Sequence, residues 1–144
     1  MEVAEKFNDL LQLLHRAIDD FEISLNADLS KYNEQEIDWI KNAQIQKFEF
    51  CIELTWKTAK LYLETIEQKT YTPKLVAKAL FLYELIHEDL YLQFMNCIED
   101  RNKLSHIYKA EMFELIQIEL PGYFQTITKI YQILTQVDLG NSAN

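Results

Sequence analysis

No glycine or proline occurs in the first 72 residues of this chain, and all 144 residues hold only two of each. Those residues punctuate turns and stop helices, so their scarcity makes long helices the expected elements and an all-α chain the expected fold class. Apolar residues make up 49 % of the sequence, enough to bury a sizeable core in a single domain of this length.

Apolar periodicity places the elements. Phe7, Leu10, Leu14, Ile18, Phe21 and Leu25 recur at steps of three and four, predicting an amphipathic first helix over about 2–25. Its apolar stripe is narrow, which suits a helix on the outside of a bundle. Asn26 to Asn33 reads as a polar connection, with Asn33 and Glu36 as a capping pair for the next helix. That second helix is expected over about 34–68. On it Phe48, Ile52, Trp56, Ala59 and Leu63 share one face and Phe50, Leu54 and Leu61 a second, leaving a polar strip of Glu49, Glu53, Lys57, Lys60 and Glu64. A helix so widely apolar is buried on two sides, and a homodimer seam is expected to cover part of it.

Thr72-Pro73 is a start signal, a capping hydroxyl followed by proline at the first helical position, for a third helix to about Leu85. After a polar break at His87 to Asp89, a fourth helix is predicted over about 88–104, with Leu90, Phe94, Cys97, Ile98 and Arg101 roughly on one side. The last helix should begin near Ala110 and run to about Val137, bent or restarted at Pro121-Gly122, with Phe124, Ile127, Tyr131 and Leu134 facing inward. One domain over residues 1–137 and a frayed tail over 138–144 follow.

A net charge of −9 repels polyanions at long range, so a general electrostatic grip on nucleic acid is not expected and any phosphate site must be local. Cys51 and Cys97 have no Cys-x-x-Cys or Cys/His spacing; buried free thiols, a reducing compartment and no structural metal are expected. The first nine residues are charged and no apolar run approaches a membrane span, which predicts a cytoplasmic protein. Glu49, Glu53 and Lys57 at four-residue spacing read as a solvated ladder, with no histidine to complete a metal set. His15 and His87 read as surface residues, His15 without partners, and Trp39 and Trp56 as packing residues on a helix with no basic stripe.

The one chemical constellation is Arg101-Asn102-Lys103-Leu104-Ser105-His106 with Tyr108. Arginine holds phosphate in a planar fork, histidine moves a proton near neutral pH and a phenol accepts a transferred group. Arg101, Lys103 and Lys109 make a small positive island for phosphate in an acidic chain. The ordinary explanation is also available, with Arg101 capping a helix C-terminus and His106 in a turn. Five residues rotate about 140° on an ideal helix, so Arg101 and His106 can converge only if the helix ends between them. The chemistry thus predicts a terminus near Ser105.

Lys47-Phe48-Glu49-Phe50, Glu53-Leu54 and Trp56-Lys57, followed by Asp100-Arg101-Asn102, Ser105-His106 and Tyr108, resemble the nucleotidyltransferase substrate-binding protein family of the HEPN superfamily, over about Phe7 to Leu134. The resemblance implies an up-and-down antiparallel bundle of four to five helices that forms a homodimer beside a minimal nucleotidyltransferase, a toxin–antitoxin-like module. It further implies a metal-independent RNase site in which Arg101 holds the scissile phosphate, His106 moves the proton and Asn102 orients the site, with Tyr108 the residue adenylylated by the partner. Two positions depart from the pattern: Phe94 stands where a tryptophan is common, and Lys109 where an acidic residue often follows the tyrosine.

Two readings follow. In the first the chain is a HEPN subunit with a nuclease site at Arg101, Asn102 and His106 and a modifiable Tyr108. In the second it is a non-catalytic adaptor that presents a nucleotide or acceptor substrate to the partner. Neither needs a cofactor, and RNA or a nucleotide would bind only at the local site.

Overall fold

The computed structural model describes residues 2–105 and 109–139, and among them every regular element is helical. The elements are α1 (Glu2–Leu25), a short 3-10 turn (Leu29–Lys31), α2 (Glu34–Thr65), α3 (Pro73–Leu82), α4 (Glu88–Lys103) and α5 (Lys109–Leu134). They form an up-and-down helical bundle.

α2 is the spine. Its 32 residues reach about 48 Å at the α-helical rise, and α1, α3, α4 and α5 all pack against it. That is why it is apolar over so wide an arc. Phe48, Ile52, Ala59 and Leu63 are buried as expected, but so are Ile45, Cys51, Thr55, Thr58 and Tyr62. The two buried threonines spend their hydroxyls on their own helix, Thr55 donating to the Cys51 carbonyl and Thr58 to that of Leu54. Buried Gln44 donates to the Ser24 carbonyl and accepts from Gln117, both at 2.8 Å, so one amide joins α1, α2 and α5.

The helix starts agree with the sequence reading. Asn33 and Glu36 form a reciprocal capping box, and Thr72 Oγ1 accepts from the Leu75 amide with Pro73 behind it. The ends of α2 and α3 do not agree. α2 stops at Thr65, not Gln68, and α3 at Leu82, not Leu85. Each closes with a left-handed glutamate, Glu67 at φ 62° and Glu84 at φ 61°. The Gln68 amide then bonds the Leu63 carbonyl and the Leu85 amide that of Leu80, both at 2.9 Å, the pattern usually built around glycine. α5 is not restarted at Pro121 but runs through it to Leu134. Pro121 sits on the exposed side of the helix, where water can serve the carbonyl four residues back.

Three single-residue expectations change. Trp39, expected as a packing residue, is 62 % exposed. Leu54, assigned to a seam between copies, is buried in its own chain, whereas Phe50 on the same assigned face is 55 % exposed. His15 is a surface residue but has partners: Asp19 at 3.4 Å and the Tyr131 ring at 5.7 Å.

Candidate functional site

Arg101 is carried by the last turn of α4. The helix ends at Lys103, Leu104 and Ser105 close it through 3.2 and 3.1 Å bonds to the Arg101 and Asn102 carbonyls, and α5 begins at Lys109. The chain therefore breaks where convergence of Arg101 and His106 requires a break. His106, Tyr108 and the side chain of Lys109 lie outside the described residues.

Among the described residues two groups orient the guanidinium. Nη1 donates to Ser105 Oγ at 3.0 Å, and Nη2 stands 4.0 Å from Glu49 Oε2. Nε is buried with no hydrogen-bond partner among the described residues. A guanidinium has five N–H donors, and here one of them is engaged in a hydrogen bond with a described residue while the side chain stays about a third exposed. Asn102 is exposed beside it, and Lys103 pairs with Asp100 at 3.6 Å.

Glu49 thus leaves the expected ladder. Glu53 does bridge to Lys57 at 3.3 Å and accepts from Trp56 Nε1 at 3.1 Å, and Lys60 bridges to Glu64, but Glu49 turns across to α4. Four-residue spacing gives no signal of that difference. One step deeper, the phenol of Tyr123 on α5 donates to Asp100 Oδ2 and its ring stacks on Phe48, with centroids 4.6 Å apart and planes at 22°. Burial first, then the bond to Asp100 and its charge, hold that phenol well above the ordinary range. Tyr123 belongs to no motif, and nothing in the sequence marks it.

The polar edge of α4, at Gln93, Asn96, Asp100 and Lys103, lines a cleft of about 600 Å³ against α5, where Tyr123 and Lys129 face it. Gly122 forms part of its wall, and a Cβ there would meet nothing. Among the described residues no cluster of three or more His, Cys, Asp or Glu side chains is placed to hold a metal, and no helix is long and apolar enough to cross a membrane.

The profile of one protein family, described as nucleotidyltransferase substrate binding protein like, matches residues 9–136, nearly the whole bundle and both halves of the Glu49–Arg101 pair. The chain belongs to this family. A crystal structure from Thermus thermophilus shares the fold of this family member, with a TM-score of 0.72, 20 % identity, and coverage of 84 % of this chain and 98 % of that one. A comparison with curated proteins finds no match.

Proposed function

We propose that this chain is the substrate-binding subunit of a two-protein nucleotidyltransferase module of the HEPN type, in which a separate minimal nucleotidyltransferase supplies the catalytic carboxylates. The chain holds a phosphate of the nucleotide or RNA substrate at Arg101, with Lys103 and Lys109 adding local positive charge. The observation that carries this reading is the state of Arg101: a guanidinium aimed by Ser105 and Glu49 at a helix end, a third exposed, with one hydrogen bond to a side chain among the described residues. A planar fork held this way matches a phosphate, and the local site removes the conflict with an acidic chain. The subunit pairs as a homodimer; Trp39 and Phe50, eleven residues apart and so on one side of α2, are both exposed aromatics that a seam could cover.

A finer reading adds catalysis, and the end of α4 between Arg101 and His106 favours it. Here His106 takes the proton of a ribose 2′-hydroxyl whose oxygen attacks the adjacent phosphorus, Arg101 steadies the developing charge, Asn102 orients the phosphate, and the 5′-oxygen leaves with a proton given by the protonated His106 of the second copy. Tyr108 is then the acceptor of a nucleotide monophosphate from the partner, its phenol oxygen displacing pyrophosphate, and the added phosphate blocks Arg101.

Co-expression with a small nucleotidyltransferase encoded alongside, followed by intact-mass measurement and incubation of the purified chain with transfer RNA in chelator, separates these. Complex formation with nucleotide binding that Arg101→Ala abolishes supports the adaptor. A nucleotide mass lost in Tyr108→Phe, and metal-free cleavage lost in His106→Ala, support the finer reading. Absence of both a complex and nucleotide binding removes the whole proposal.

A further inference from the structure

Tyr123 is 5 % exposed and joins three helices at one point, stacked on Phe48 of α2 and hydrogen-bonded to Asp100 of α4 from its own place on α5. On α2 and α4 the residue next to each partner of Tyr123 belongs to the site. Glu49 follows Phe48, Arg101 follows Asp100, and these two face each other at 4.0 Å. Consecutive residues on a helix turn as one body, about 100° apart, so fixing Phe48 against Asp100 fixes Glu49 against Arg101. A roll of α4 by about 20° would move a side-chain tip about 6 Å from the axis by about 2 Å, and a displacement half that size can cost on the order of 100-fold where geometry matters. Asp100 has both oxygens engaged, one by Tyr123 and the other 3.6 Å from Lys103 Nζ.

We propose that Tyr123 is a positioning residue for Arg101, setting through Asp100 and Phe48 the register in which the end of α4 presents the guanidinium. The inference rests on Arg101 being the phosphate-binding group. A residue that only fills the core would pass the loss of its O–H without consequence at Arg101; a positioning residue would not.

The chain has two arginines, Arg16 and Arg101, so the side-chain Nε–H region of a nitrogen-15 spectrum holds two resonances, assigned with Arg101→Lys. Tyr123→Phe keeps the stacked ring and removes only the hydroxyl. It is expected to shift the Arg101 resonance and speed its exchange with water several-fold, leave Arg16 unmoved, and lower Tm by only about 4 °C. Asp100→Ala, which removes the acceptor, is expected to act the same way, while Asp100→Asn, which still accepts the phenol proton, keeps the native resonance. An Arg101 signal unmoved in both Tyr123→Phe and Asp100→Ala overturns the proposal, as does one that Asp100→Asn displaces equally. Titration of the unaltered chain with adenosine monophosphate reads the phosphate site separately: a silent Arg101 resonance at millimolar nucleotide removes that reading, whatever the Tyr123 variants do.

Discussion

Arg101 Nη2 stands 4.0 Å from Glu49 Oε2, outside hydrogen-bond reach but well inside Coulombic reach, while Nη1 bonds Ser105 at 3.0 Å. A carboxylate at that distance aims the guanidinium and also competes with any phosphate that approaches it. Both side chains are about a third exposed, so the competition is worth about 1 kcal/mol at low salt, near the aqueous limit for unit charges about 4 Å apart. Glu49→Gln should therefore tighten binding of a nucleoside monophosphate about five-fold, with the gain shrinking at high salt as screening removes it. Calorimetric titration of both proteins at two salt concentrations checks this. Equal or weaker binding by the variant would mean that Glu49 positions the arginine more than it blocks it.

The ends of α2 and α3 show why part of this fold is legible in the sequence and part is not. Starts are written in side chains, Asn33 with Glu36 and Thr72 with Pro73, and the sequence places them correctly. Ends are written mostly in backbone conformation, and the usual marker, glycine at the left-handed position, is replaced by Glu67 and Glu84. A glutamate there is indistinguishable in sequence from one more turn of helix. The left-handed region costs an ordinary residue on the order of 1 kcal/mol. Glu67→Gly and Glu84→Gly should thus stabilise the chain by about 0.5–1 kcal/mol each, against the usual effect of adding glycine. Urea unfolding of the two variants measures it; a loss at both sites would count against the left-handed caps.

At the candidate site the same limit appears as a difference between local and long-range information. Arg101 and the helix end beyond it can be read from the local sequence, α4 ending within two residues of the terminus expected near Ser105. Glu49 cannot, since Glu49, Glu53 and Lys57 share one period while only Glu53 and Lys57 pair along the helix. Tyr123 cannot either, because its meaning comes from Asp100, 23 residues away, and from Phe48 on a third helix.

Exposed Phe50 and buried Leu54 separate association from folding. Phe50→Glu removes an exposed aromatic and should leave stability within about 0.5 kcal/mol, the range of ordinary surface changes. Leu54→Glu places a charge in the core of the single chain and should cost more than about 3 kcal/mol or prevent folding. If α2 forms the homodimer seam, light scattering should show Phe50→Glu as a folded monomer where the unaltered chain is a dimer. A folded dimer in Phe50→Glu would move the seam away from the side of α2 that carries Trp39 and Phe50.

Cys51 and Cys97 are both buried and free, and burial is the main reason that each thiol is pushed from 9.0 up to about 12. For Cys51 the charge of Asp20 adds to the rise and Lys47 offsets part of it; for Cys97 a hydrogen bond with Thr126 opposes burial and Asp100 adds to it. Well below pH 9.0 both thiols are protonated, folded or unfolded, and contribute no pH dependence. Between pH 9.0 and about 12 the unfolded chain releases these protons while the folded chain keeps them, so stability must fall as pH rises, by roughly 1 kcal/mol per pH unit for each thiol. Tyr123, held above its ordinary range, steepens the decline further above pH 10.0. General repulsion in an acidic chain also grows with pH, so the informative comparison is with the variant carrying Cys51→Ala and Cys97→Ala. Its urea midpoint starts lower for lost packing but should fall less steeply from about pH 9 to 11. In the unaltered protein at about pH 8, neither thiol should react with an aromatic disulfide reagent until denaturant is added. Two parallel declines, or rapid labelling of the native chain, would show that these thiols are not held neutral in the core.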